Sequence, residues 1–216
     1  MAEPGVDEGK QKAVRWERGG DGVAVVVLDD PARSANTMND AYLAGMEEVL
    51  DGLAAAKAQL RGVIVTSAKK TFFAGGDLEK LIRYGPDDAA AVFEHTTRVK
   101  GQLRRLETLG LPVVAALTGT ALGGGLEIAL ACHRRIAVDA PGVLFGLPEV
   151  TLGLLPGAGG VTRITRMLGI ADGFLKVLGQ GQRHKPAGHG ANEVRGDGAV
   201  QWETGLAPSK SQLARR

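Results

Sequence analysis

Three consecutive glycines, Gly123-Gly124-Gly125, run straight into Leu126-Glu127-Ile128-Ala129-Leu130-Ala131-Cys132, an apolar stretch with a single carboxylate inside it. A stretch this apolar reads as a buried helix, and glycines at its start leave the first backbone N–H groups bare at the positive end of the helix dipole. That end attracts an oxygen carrying negative charge. An unpaired carboxylate is costly to bury, so Glu127 marks a place where the fold must bring something to meet it. The plainer reading, glycines for a tight turn and close packing, stands beside this one.

The remaining chain supplies the framework. Val14 to Arg18 and Val23 to Leu28 are β-rich runs separated by Gly19-Gly20-Asp21-Gly22, which spells a hairpin. Leu43, Met46, Leu50 and Leu53 recur at helical spacing behind Asn39 as N-cap, predicting a helix to about Ala58. Gly62 to Thr66 reads as a short buried strand. Pro86 opens a second amphipathic helix that turns Val92, Val99, Leu103 and Leu106 inward until Gly110 stops it. Strands are expected at Pro112 to Leu117, at Arg135 to Val138 and around Leu144-Phe145, and a last helix from about Thr162 to Leu168. Repeated strand, strand, helix units indicate an α/β fold, without the fixed period of a solenoid. Residues 1–12 are polar and aperiodic and read as a flexible N-terminus, and residues 13–186 form the core. Residues 187–216 hold five glycines, many charges and no apolar period, the pattern of a disordered tail.

A second glycine cluster, Phe72-Phe73-Ala74-Gly75-Gly76-Asp77-Leu78, also sits between a strand and a helix, with Asp77 as the natural cap. If the two clusters converge, their N–H groups make an oxyanion hole for a carbonyl oxygen that gains charge during reaction. Neither is a nucleotide loop: no Lys-Ser/Thr follows, and the glycines do not form G-x-G-x-x-G with a downstream acid. Glu149 follows Pro148 among Leu144, Phe145, Leu147 and Val150, with no basic partner nearby in sequence. Two carboxylates in such surroundings can hold different protonation states, one giving a proton and one taking it. As an exposed loop acid Glu149 would do neither.

Composition removes other classes. With 216 residues, 44% hydrophobic and 23% charged, the chain can bury one substantial core. A net charge of +2 without a basic stripe argues against nucleic acid. No apolar run approaches the roughly 20 residues that span a bilayer, and the polar start carries no signal h-region, so a cytoplasmic location is expected. The lone Cys132 excludes an internal disulfide and reads as packing. No metal site is expected: His184 and His189 have zinc-like spacing but no cysteine pair, and no Ser or Cys motif offers His95 or His133 a nucleophile to activate.

Leu111-Pro112-Val113-Val114-Ala115-Ala116 running into Gly119, Ala121-Leu122-Gly123-Gly124-Gly125 and Glu127 resembles the enoyl-CoA hydratase (crotonase) family. So does Gly146-Leu147-Pro148-Glu149 followed by Gly153-Leu154-Leu155-Pro156-Gly157-Ala158-Gly159-Gly160. The likeness covers about Val14 to Pro186 and is strongest to the hydratase domains of multifunctional fatty-acid oxidation proteins. It implies a crotonase-like spiral of ββα units, a homotrimer or hexamer, an acyl-CoA substrate and no dissociable cofactor. It places the oxyanion N–H groups on Gly76 and Gly124, Ala74 at the adenine pocket, and the Ala32 to Asn36 loop, with Ala35 and Asn36, along the CoA. Glu149 then resembles the proton donor to the α-carbon, and Glu127 the group that positions and deprotonates the water adding at the β-carbon. Two retained glutamates favour hydration of trans-2-enoyl-CoA in fatty-acid β-oxidation over double-bond isomerisation. The alternatives are an isomerase of the same family and a catalytically impaired acyl-CoA-binding or assembly fragment.

The resemblance stops abruptly. Family members continue past the position of Pro186 with an Ala-rich helix, a Gly-Leu-Val-Asp-like strand and further helices, whereas Gly188-His189-Gly190-Ala191-Asn192 begins a different pattern. The expectation is a fold lacking its usual C-terminal helical region, through a reading-frame change or a truncated product near Gly179 to Gly190.

Overall fold

Apolar alternation builds the main sheet from its N-terminal edge. The structure, a computed structural model, describes residues 12–186 and 199–200. β1 (Val14–Arg18) and β2 (Val23–Leu28) form the expected antiparallel hairpin, with Val14 opposite Leu28. In β2, Ala24, Val26 and Leu28 are buried while the residues between them are half-covered, as a period of two requires. The side-chain oxygen of Asn39 accepts the Tyr42 N–H at 2.8 Å and so starts α1 (Asp40–Ala56), which buries Leu43, Met46, Leu50 and Leu53. β3 (Gly62–Ser67) pairs parallel with β2. α2 (Leu78–Leu81), a single turn capped by Asp77, and α3 (Ala89–Glu107) lead back to β4 (Val113–Leu117), parallel to β3.

The second half carries the shorter pieces. β5 (Ala121–Leu122) feeds α4 (Gly124–Ala131), then come β6 (Arg134–Val138) and β7 (Phe145–Gly146). A 3-10 turn at Pro148–Leu152 precedes α5 (Gly160–Leu168) and α6 (Ile170–Gly173). A π-helical turn at Phe174–Leu178, β8 (Arg183–His184) and β9 (Ala199–Val200) complete the described chain. The large sheet runs β1-β2-β3-β4-β6-β9, and a small one runs β5-β7-β8. The core lies between the large sheet and α1, α3 and α4, and every residue of α4 is buried. Gly125 permits this: a Cβ there would lie 2.5 Å from the Phe73 carbonyl oxygen.

Several expectations need adjusting. Pro86 opens a 3-10 turn, Pro86–Asp88, because the Asp88 carboxylate folds back onto the Gly85 N–H at 2.8 Å; the long helix starts only at Ala89. The helix expected from Thr162 begins two residues earlier, on Gly160. Two short helical turns follow it, unannounced by the sequence because Gly169 and Gly173 interrupt the apolar period. Residues 1–11, 187–198 and 201–216, including His189, lie outside the described residues. Within the tail expected to be without structure, Ala199 and Val200 pair antiparallel with Val138 and Ala137 of β6. An open strand edge accepts any extended segment, which is why two residues without a pattern of their own can join it. Among the described residues, no helix is long and apolar enough to cross a membrane.

Candidate functional site

Main-chain hydrogen bonds draw the two glycine clusters together. Leu122 N–H donates to the Phe73 carbonyl at 3.2 Å, Met38 N–H to Gly75 at 2.9 Å, and Gly123 N–H to Gly146 at 2.9 Å. The segments end up so close that a Cβ on Gly75 would lie 3.8 Å from the Gly124 nitrogen, and one on Gly123 would lie 3.6 Å from the Gly75 Cα. Among the described residues, neither Gly76 N–H nor Gly124 N–H has an acceptor. Both glycines line a cavity of about 530 Å³, together with Ala74, Glu127 and Glu149. Its walls are otherwise mostly apolar, with Leu81, Val92, Val99, Leu152 and Leu155 among them. Val92, expected in the core, is half-buried because it faces this cavity.

The carboxylates arrive from different directions. Glu127 projects from the first turn of α4 and is 2% exposed. Its Oε1 accepts the N–H groups of Ala158 at 2.8 Å and Gly160 at 2.7 Å, partners some thirty residues away that local sequence does not reveal. Burial pushes its carboxyl above the usual range, while those two N–H bonds and the Arg163 cation pull the other way. Glu149 sits on the 3-10 turn rather than an open loop. Among the described residues its Oε2 is buried without a hydrogen-bond partner. Gly123, at φ +52°, could not carry a side chain without strain, and a Cβ there would meet Glu149 Oε1 at 2.7 Å.

Burial pushes the Glu149 carboxyl up to about 7, and the nearby Glu127 charge adds to the shift. Because the folded value exceeds the ordinary one near 4.5, the stability this group contributes is present in full below pH 4.5 and lost as pH rises through 7. Glu149→Gln is therefore expected to gain stability over the wild type by about 1–2 kcal/mol between pH 5 and pH 8, after allowing for partial solvent screening. Urea denaturation at the two pH values measures it; a constant difference would show that Glu149 is not held protonated.

Other expected residues divide. Asp77 caps α2, accepting the Lys80 N–H. Cys132 is buried with its S–H on the Ile128 carbonyl, and its thiol is pushed up to about 12, which suits packing rather than reactivity. His133 accepts the Val113 N–H, and His184 contacts the Lys176 carbonyl. His95 lies in the cavity wall, its imidazole pKa lowered by burial. Ala35 and Asn36 lie outside the set of residues that line the cavity. Asn36 is 2% exposed; its amide donates to the Leu28 and Phe72 carbonyls and to Ser67, and its Oδ1 accepts the Asp30 N–H. Arg33 is engaged by Asp77 and Glu79. Arg163 escaped the sequence reading, although a cation in the first turn of a helix, against the dipole, is an anomaly that could have drawn notice.

The family model for enoyl-CoA hydratase/isomerase matches residues 18–179. This chain belongs to that family. Fatty acid oxidation complex subunit alpha of Shewanella loihica is 40% identical to it over 184 residues, covering 82% of this chain and 25% of that protein. The same subunit of Idiomarina loihiensis is 37% identical over 170 residues, 78% of this chain and 24% of that one. The chain thus spans about a quarter of the length of these curated relatives. An enoyl-CoA hydratase structure from Bacillus anthracis superposes with a TM-score of 0.71 at 31% identity, covering 80% of this chain and 64% of that chain. One from Geobacillus kaustophilus gives 0.73 at 28%, covering 82% and 64%. The crotonase-type α/β fold follows directly.

Proposed function

We propose that this chain hydrates trans-2-enoyl-CoA thioesters, with Glu149 as acid and Glu127 as base. The observation that carries the reading is the meeting of two carboxylates of unequal environment beside two acceptor-free glycine N–H groups in one cavity. The thioester oxygen sits between Gly76 N–H and Gly124 N–H, donors fixed before the charge develops. Glu127 takes a proton from water as its oxygen bonds to the β-carbon, and the electron pair of the double bond moves toward the thioester. The oxygen becomes enolate-like, and Glu149 delivers its proton to the α-carbon. A carboxyl pushed up to about 7 keeps that proton available at neutral pH. After product leaves, the proton on Glu127 returns to Glu149 before the next turnover. CoA enters as part of the substrate, with Ala74 at its adenine end.

Fatty-acid β-oxidation is the setting this chemistry fits, and a homotrimer or hexamer is the assembly the family suggests. Loss of enone absorbance from trans-2-butenoyl-CoA with purified protein tests the reading, with the 3-enoyl isomer run in parallel. Hydration of the 2-enoyl thioester is the expected result. Conversion of the 3-enoyl substrate alone would make the chain an isomerase, and turnover of neither would overturn the enzymatic reading.

A further inference from the structure

We propose that Arg163, clasped by Glu107, is a positioning residue that holds the Gly157–Gly160 loop in the one shape that delivers two N–H groups to Glu127. The inference rests on the reading of Glu127 as the base. Arg163 stands in the first turn of α5 with its side chain 12% exposed. Its Nη1 donates to the Ala158 carbonyl at 3.1 Å, and its Nε and Nη2 reach Glu107 Oε1 and Oε2 at 3.4 and 3.3 Å. The same Ala158 donates its N–H to Glu127 at 2.8 Å, so a single residue links cation and carboxylate through its two main-chain polar groups. Gly159, between the two N–H donors, has φ +99°, and a Cβ there would strike Arg163 Nη1 at 2.6 Å. The loop therefore wraps the guanidinium closely, and Glu107 at the end of α3 fixes that guanidinium from the far side.

A cation placed against the helix dipole needs a compensating task, and the fork geometry of arginine can bond a carboxylate and a carbonyl at once. Charged and titratable groups facing Glu127 are Arg163 from α5, Lys100 from α3, Glu149 from the 3-10 turn and Tyr42 from α1. Burial raises Glu127, and the two cations oppose that rise. Removing Arg163 thus acts twice: the loop loosens, and the basic form of Glu127 is populated only at higher pH.

The test uses the full chain with Arg163→Met, Arg163→Lys and Glu107→Gln. With trans-2-butenoyl-CoA, Arg163→Met is expected to lower kcat by ~10–100-fold with KM within about twofold, and to move the acidic limb of kcat up by about half a pH unit or more. Arg163→Lys keeps the charge, so the limb stays while kcat still falls, since one ammonium cannot bridge Glu107 and the Ala158 carbonyl. A folded Arg163→Met with wild-type kcat and an unmoved limb would overturn the proposal. Should that variant not fold, Glu107→Gln leaves the cation in place and is expected to speed amide hydrogen exchange at Ala158 and Gly160 and to lower kcat ~3–10-fold; unchanged exchange and kcat would sink the clasp. Carbon-13 titration of the Glu127 carboxyl and the exchange rates do not need turnover. An inactive wild type would therefore refute the hydratase reading alone, while these two readouts still decide the clasp.

Discussion

Glu149→Gln is expected to lower kcat for hydration by ~10³-fold or more while leaving the fold intact and KM little changed. Glutamine occupies the same volume and preserves the packing around Pro148 and Thr151, but it has no acidic proton for the α-carbon. The Oε2 atom, buried without a partner among the described residues, is the one that would carry that proton. Glutamine cannot ionise, so the cost of charging a buried carboxyl above pH 7 disappears and the same change should stabilise the protein at pH 8. Loss of turnover together with a gain in urea resistance would distinguish a site built for chemistry from a poorly packed one. Stopped-flow measurement of enone absorbance gives the first quantity, and unaltered turnover in the variant would remove Glu149 from the mechanism.

Asn36→Ala is expected to be the more damaging change to the fold, costing about 3–4 kcal/mol. One buried amide serves the Leu28 and Phe72 carbonyls, the Ser67 hydroxyl and the Asp30 N–H, while the main-chain carbonyl of Asn36, which alanine keeps, accepts the Ala74 N–H at 2.9 Å. Alanine removes the acceptor of the Asp30 N–H and the amide donor shared by the Leu28 and Phe72 carbonyls and Ser67, and water has little room to replace the amide. The urea midpoint should fall sharply while KM for acyl-CoA at low temperature stays near wild type. A raised KM with unchanged stability would instead support the CoA contact that the family resemblance suggested.

The contrast shows where sequence was informative. The β1–β2 hairpin and α1 were legible because period and punctuation are local: alternating valines around a glycine turn, and Asn39 ahead of a helical stripe. The glycine run before Glu127 was legible for the same reason. What local pattern could not supply was the partner of Glu127, since the N–H groups of Ala158 and Gly160 come from a loop far along the chain. The partners of Asn36 were equally hidden, because a polar residue in a loop gives no hint of which carbonyls converge on it. Nothing local to Arg163 shows that its guanidinium reaches Glu107 and the Ala158 carbonyl, since both lie on other elements.

The parallel pairing of β2, β3, β4 and β6 has a kinetic consequence. Each pairing closes a long stretch of chain before any hydrogen bond rewards it, a topology that folds slowly. The hairpin that carries Trp16 can assemble from neighbours in sequence, but the N–H groups that hold Glu127 arrive only when the loop ahead of α5 has docked against α4. Indole fluorescence from Trp16 should thus recover well before turnover does, and an extended interval of collapsed, catalytically silent chain is built into the order of the strands.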